Sequence, residues 1–584
     1  MNYSPIILNH NLTRFCGNVL LTISRMEGRQ GLILIGSFSM KKFLKKLLVA
    51  AAVVITSIPA LWAQGQDTLD QIEVKTYTRY SPVLTSARKL PTLPVFETPK
   101  AQLPTFQYDL PDFRYAVDPT YLPAKAIAVK TNRDQDLNDN YFKFGGGNYL
   151  TGLAEIHLHN TENKKYDFGG FARHLSSNAS DPANADFSDN HLGIFGTQNS
   201  SKGKLSGELN YERHVVHYYG VTDTSVEFTK RQSNQIFNDV NGLVGWNSNP
   251  DKKGWGFASS FDFYAFTTLR QNENDFNLIL NPFYEMKQKG KVDVRAAINY
   301  TALKHGMGNL NRTFVTINPT YAFRVKKFEI KAGLNAVYAL DSNEGKFFPF
   351  PDIEIKHYIV PKRLKAFVTL RGGIQRNQFR TLAYINPFIN YGAEVRQTVN
   401  QLDFSAGIKG ALSKKVDYVV QINYLNQKDL PLFIQDSGVF NRFNVAYDKV
   451  GTFSMKTGLG VRLNEQFFVE WAGTFYNYSL DVQSNAWQLP DYDIDLNLRY
   501  TIGKKLNLRA QAYILGERFQ KDFETQKAVK LKPVGDINIM AEYRYKENLA
   551  FFLNVNNVTN ARYQKWYNYP SYGINVLGGL SFSL

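Results

Sequence analysis

From about residue 139 to the last residue, polar and apolar positions alternate with a period of two, in segments of ten or more residues separated by turn signals. That period belongs to strands whose two faces meet different surroundings. In segment 491–500, Tyr492, Ile494, Leu496, Leu498 and Tyr500 share one face, and Asp491, Asp493, Asp495, Asn497 and Arg499 the other. After Lys504-Lys505, Leu506, Leu508, Ala510, Ala512 and Ile514 oppose Asn507, Arg509, Gln511 and Tyr513. Residues 536–545 set Ile537, Ile539, Ala541, Tyr543 and Tyr545 against Asp536, Asn538, Glu542 and Arg544. The final stretch aligns Tyr572, Ile574, Val576, Leu580, Phe582 and Leu584.

A soluble sandwich also alternates, so the period alone does not choose between water and lipid. Three features favour an all-β transmembrane antiparallel barrel. The polar faces carry many charges, as a water-filled lumen permits; aromatics gather toward strand ends, as headgroup girdles require; and the last strand closes on Phe582 and Leu584. In lipid only a closed barrel pairs every backbone group of a sheet.

The connections alternate between short and long. Short links fall at 201–204, 251–254, 287–291, 326–327, 361–363, 413–415, 464–465, 504–505 and 546–548. Longer ones are expected at 218–233, 269–274, 304–312, 341–345, 375–399, 428–441, 478–490, 519–531 and 559–571. Periplasmic turns and extracellular loops of an outer-membrane barrel alternate in this way. From Tyr149 onward the pattern gives about 21 strands, and periplasmic termini require one before them, hence about 22. Residues 126–130 or 140–146 would supply it, in a barrel spanning 139–584.

The N-terminal part reads differently. Residues 40–63 hold four lysines, an apolar run from Leu47 to Ile58, Pro59 and then Ala63, which is the layout of a secretory signal peptide cleaved after Ala63. Residues 1–39 are then expected to be a mis-assigned upstream extension, with Met40 the true start. Residues 64–130 contain eight prolines and one glycine. Such density forbids a continuous helix or central strand, so 64–138 is expected to be an extended segment without a globular plug, lying partly in the lumen or leaving closure to loops or a partner.

The tail Leu553–Leu584 resembles the C-terminus of TonB-dependent outer-membrane receptors. The resemblance rests on Asn556-Asn557, Tyr563, Trp566, Tyr569-Pro570, Gly578-Gly579 and Phe582. It implies a barrel in the outer membrane of a Gram-negative bacterium and a receptor or pore that passes a solute. Members of that family also carry a glycine-rich plug, which the proline-rich segment here does not resemble. The alternative is therefore a plugless, non-transporting barrel subunit of a multi-protein outer-membrane complex. Asp70–Val74 (DQIEV) is faintly like a TonB-box peptide, but five ordinary residues match easily, and TonB is not expected as a partner. Outer-membrane lipids are, with other outer-membrane or periplasmic proteins.

Candidate chemistry is sparse. His157 and His159 share the polar face of 149–159 with Glu155, and His214 shares that of 205–215 with Glu208 and Glu212. A His/carboxylate wall could hold a metal, although an ordinary polar lumen wall has the same composition. No GxSxG, HExxH or phosphate-binding loop occurs, so no enzyme and no cofactor is expected. The aromatic loops 375–399 and 428–441, with Phe379, Tyr384, Phe388, Tyr391, Phe433 and Phe440, would be costly in water. They are expected to pack inward or on each other, or to meet a ligand or partner.

The formal net charge is +17, and removing residues 1–63 leaves 61 basic and 50 acidic residues, a net charge of +11. Fifteen Lys/Arg fall in seven of the short links, where anionic lipid headgroups would attract them. The basic balance thus reflects membrane topology, and nucleic acid is not expected as a partner. The single cysteine, Cys16, lies before Met40, which excludes a disulfide framework.

Overall fold

The computed structural model describes residues 140–160, 165–220, 230–249, 254–286, 290–305, 308–341, 344–360, 363–437, 441–503, 505–523 and 527–584. The signal peptide, the proline-rich segment, residues 126–130 and Asp70–Val74 lie outside them.

The alternating segments form one antiparallel sheet of 22 strands. It begins with Asn140–Gly147 and ends with Asn575–Ser583, and these two strands pair with each other from Tyr141↔Ser583 to Gly147↔Leu577. The sheet is therefore a closed barrel with no free edge. The strand required before Tyr149 is 140–147. At the seam the last residue is tied in by Leu584 N–H to Asn140 O, 2.9 Å, and Asn140 N–H to Leu584 O, 3.2 Å.

The period-two pattern sorts side chains as the sequence indicates. Ile194, Val244, Ile298, Ile317, Ile537, Ile539, Leu553, Val576 and Leu580 are exposed on the outer wall. Inward positions between them are polar and largely covered: Asp275, Asn277, Asn299 and Thr301. Asn277 accepts from Asn299 and Asp275 from the Thr301 hydroxyl, so neighbouring strands share the polar ladder.

Short links gather at the end of the barrel that holds both Asn140 and Leu584, which we call the turn end. The other, the loop end, differs from expectation in five places. Connections near 269–274, 304–312 and 341–345 shrink to 268–271, 306–307 and 342–343, because the flanking strands run on beyond them. Residues 428–435 likewise belong to the strand Val416–Gln435, whose partner is Phe443–Arg462. Each has 20 residues, about twice the 9–11 needed to cross a bilayer, so this hairpin projects well past it. An unforeseen loop, 178–186, joins Tyr166–Ser177 to Phe187–Ser200.

Glycine is required at the seam. A Cβ on Gly579 would sit 2.0 Å from Phe144 O and 2.6 Å from the Cα of Gly145. At Gly535, nothing lies within 4 Å. Gly579→Val should destabilise closure by about 1–3 kcal/mol or more, as overpacking does, while Gly535→Ala should be neutral. Heat-modifiable migration of the folded barrel in detergent gels measures both; equal behaviour of the two variants would refute the seam argument.

Candidate functional site

The feature that stands out at the loop end is the segment 376–397 between the strands Leu364–Gln375 and Thr398–Ser413. It contains the helix Phe379–Ile385, and it is among the best buried parts of the protein: Phe379 and Ile389 are 0% exposed, Leu382 1% and Ala383 2%. These residues share one apolar core with Phe237, Tyr264, Phe266 and Leu303 of one wall, Phe433, Phe443 and Val445 of the projecting hairpin, and Trp566, Tyr569 and Tyr572. The contributing strands lie at three separated parts of the ring. A single core touching all three must cross the mouth, and the segment acts as a lid.

Charge fixes the lid to one wall. Inward positions of three strands of one wall, Gly203–His217, Asn234–Ser248 and Asn272–Met286, present Glu212, Asp239, Glu273 and Asp275, the last three at most 2% exposed. Each meets a complementary group of the lid. The backbone N–H groups of Phe379 and Arg380, the free donors at the start of the helix, bond to Glu273 at 2.7 and 3.1 Å. Asp275 accepts from Arg376 at 3.1 Å and from the Gln378 amide at 2.8 Å. The Arg380 guanidinium meets Asp239 at 2.5 Å and lies over the Tyr264 ring, 4.5 Å from its centroid. The Tyr384 hydroxyl sits between Asp239 and Glu212, at 2.9 and 3.0 Å. Burial, then the nearby Asp239 carboxylate, pushes the Tyr384 phenol well up, so it remains a donor. Further round, the Gln271 amide donates to Tyr391 O and Arg312 to Val395 O.

The opposite attachment is aromatic. Phe388 and Tyr569 stack with centroids 3.6 Å apart, and Trp566 stands edge-on to Phe433 and Phe443. Phe443 N–H bonds to Phe388 O at 3.0 Å and Asn390 N–H to Phe443 O at 2.7 Å, which joins the lid backbone to the hairpin. Tyr218 donates to Ile389 O at 2.9 Å, Tyr569 to Asn441 O, and Tyr219 to Pro570 O at 3.1 Å. Beneath this contact, Arg518 donates to the carbonyls of Gln564 and Lys565. Burial, with the Arg518 charge beside it, lowers the Lys565 ammonium to about 8.

Of the aromatic residues singled out from the sequence, Phe379, Tyr384, Phe388 and Phe433 converge on this core or pack against it, and Tyr391 stands edge-on to its Tyr218; Phe440 lies outside the described residues. The tail residues divide. Tyr563, Trp566, Tyr569 and Pro570 belong to the mouth, where the Tyr563 hydroxyl donates to Asp536 at 2.6 Å, whereas Gly578, Gly579 and Phe582 form the seam. The histidines do not assemble. His157 stacks on Phe171, His159 meets Asp167 at 2.5 Å, and His214 pairs with Asp189 while stacking on Phe237. Among the described residues, no group of three His, Cys, Asp or Glu could hold a metal ion. The sequence reading missed Asp239, Glu273 and Asp275, and singled out Glu212 only as part of a metal-holding wall. Their signal was present in the inward alternation Glu273, Asp275, Asn277, but nothing local says that buried cations 100 residues away will meet them.

Asp239→Ala should strip the half-buried Arg380 of its partner at a cost of about 1.5–3 kcal/mol, and the lid should loosen. Limited trypsin digestion reads this as faster cleavage at Arg376, Arg380 or Arg396 with the barrel intact; unchanged cleavage would show that the carboxylate row does not hold the lid.

No protein-family model and no curated protein sequence matches the chain. Solved structures do. The FrpB iron transporter from Neisseria meningitidis aligns with TM-score 0.61 and 10% identity, over 77% of this chain and 83% of that one. The pyoverdine outer membrane receptor FpvA from Pseudomonas aeruginosa, bound to pyoverdine, gives 0.58 and 11%, over 76% and 78%. The ferric-catecholate import receptor Fiu from E. coli gives 0.59 and 8%, over 77% and 82%. At such identities the likeness concerns architecture: the chain has the 22-strand barrel fold of TonB-dependent outer-membrane receptors.

Proposed function

We propose that this chain is a receptor-like barrel of the Gram-negative outer membrane, with the turn end in the periplasm and the mouth outside, shut at rest by its own lid. Solute crosses only when the 376–397 segment is displaced, so the barrel is not a general pore. The observation that carries this reading is the core that joins the lid to three parts of the wall. The iron and siderophore receptors it resembles in fold supply the context for solute uptake. A barrel this wide, left open, would conduct ions freely.

A second reading has support in the depth of the attachment. Carboxylates at most 2% exposed on one side and stacked aromatics on the other fix the lid as a structural floor, as suits a non-transporting subunit of an outer-membrane assembly. Such a subunit should keep a stoichiometric partner when purified in mild detergent, and a receptor should purify alone.

Planar-bilayer recording tests the shared premise. The full-length protein should show no stable open channel, and replacing 379–395 by a short Gly/Ser linker should produce large, long-lived conductance. A wide conductance from the unaltered protein would sink both readings.

A further inference from the structure

Beside the lid, the wall changes character. At the loop end of the strands Gly308–Val325, Phe328–Asp341, Glu344–Val360 and Leu364–Gln375, the inward positions are apolar and form a core of their own, apart from that of the lid. Phe348 and Phe350 lie parallel there, with an interplanar angle of 1°. The same depth on nearby strands carries Asp275, Asn277, Asn299 and Thr301, the composition expected of a wetted wall. The apolar stretch is incompletely covered. A recess of about 210 Å³ remains, floored by Phe314, Ala339, Phe348, Ile374 and Val399 and flanked by Gln397. An apolar cavity of ~150 Å³ is enough to take up benzene, so this one accommodates an aromatic or branched aliphatic group.

The rim is charged and balanced. Asp341, Glu344 and Lys346 line it; Lys346 meets Glu344 at 2.7 Å, and behind the rim the buried Arg312 neutralises Asp341 at 3.0 Å. Two cations and two carboxylates give no net charge, so an ion of either sign gains little from the rim as a whole. A compact molecule carrying both signs gains from both, because its ammonium can reach a carboxylate while its carboxylate reaches a cation. Glu344 and Lys346 are exposed, at 76% and 64%, and free to swing toward such a head group.

We propose that this recess binds a compact zwitterion with an apolar side chain, of the class of the aromatic and branched-chain amino acids. The side chain fills the apolar floor, and the α-ammonium and α-carboxylate exchange with the exposed Glu344–Lys346 pair. The recess borders the lid, since Gln397 flanks it and Arg312 also donates to Val395 O, but its occupation does not depend on whether the lid governs passage.

The test is equilibrium binding of L-phenylalanine to the full-length protein in lipid nanodiscs, where no detergent competes for the recess. Binding should saturate with Kd of about 1 mM, as suits so small a ligand. Phenethylamine and 3-phenylpropionate, which each lack one charge, should bind at least about fivefold more weakly if the balanced rim is used. Ala339→Phe fills the floor and should reduce phenylalanine binding about tenfold or more. Should that variant misfold, the exposed double substitution Glu344→Gln/Lys346→Gln carries the test, and should lower phenylalanine affinity to that of the single-charge analogues. Absence of saturable binding to the unaltered protein, equal affinity for all three probes, or undiminished binding by the rim variant would each overturn the proposal.

Discussion

Everything in this protein depends on the pairing of its first and last strands. A sheet in lipid cannot leave an edge, because each unpaired N–H or C=O there costs several kcal/mol. The ladder from Tyr141↔Ser583 to Gly147↔Leu577 removes the last such row. The glycines at the seam follow from that constraint. Gly145 faces Gly579 and Gly146 faces Gly578, and a side chain at Gly579 would drive into the partner backbone. Closure joins residues more than 420 positions apart, so its entropic cost falls late and the contact has to form with little local guidance.

Closing 22 strands encloses a wide lumen, and the loop end answers that consequence. The lid could have been held by apolar packing alone. Instead one wall offers carboxylates to arginines and to a helix N-terminus, while the other offers aromatic rings. Packing is tolerant of sliding and charge pairing is not, since a buried carboxylate without its partner is heavily penalised. The two attachments thus divide the labour: aromatics supply apolar packing, and Glu273, Asp275 and Asp239 fix the register of the helix against the wall.

How far this was legible in the sequence differs by level. The outward faces of 491–500, 506–514 and 536–545 could be read residue by residue, because lipid on one side and water on the other impose a period of two that no helix mimics. Strand number and the alternation of turns and loops followed from the same signal. Loop lengths were less legible. Residues 428–435 were expected in a loop, yet the strand Val416–Gln435 runs on through them, and Phe433 turns toward the lid. The aromatic character of 375–399 was visible, and its inward packing was one of the expected outcomes. Its partners were not visible. Asp239 to Arg380 spans 141 positions and Tyr218 to Ile389 spans 171, and such pairings are set by the circumference of the barrel rather than by any local pattern.

The way the lid is attached also constrains how it could move. Its contacts are mutually dependent: withdrawing Arg380 from Asp239 exposes the Tyr384 contact to the same carboxylate, and lifting Phe388 uncovers Tyr569 and the backbone pairing with Phe443. Loss of one anchor raises the cost of keeping its neighbours, so under the proposed function the segment would pass between seated and released states with little between them. To shift such a pair of states from about 1:99 to 99:1, a ligand must favour the released state by roughly 5.5 kcal/mol. One new ion pair at the surface, worth about 0–1 kcal/mol, falls far short. Release therefore requires an occupant that replaces several buried contacts together, which a small diffusible ion cannot do and a bulky ligand or a protein surface can.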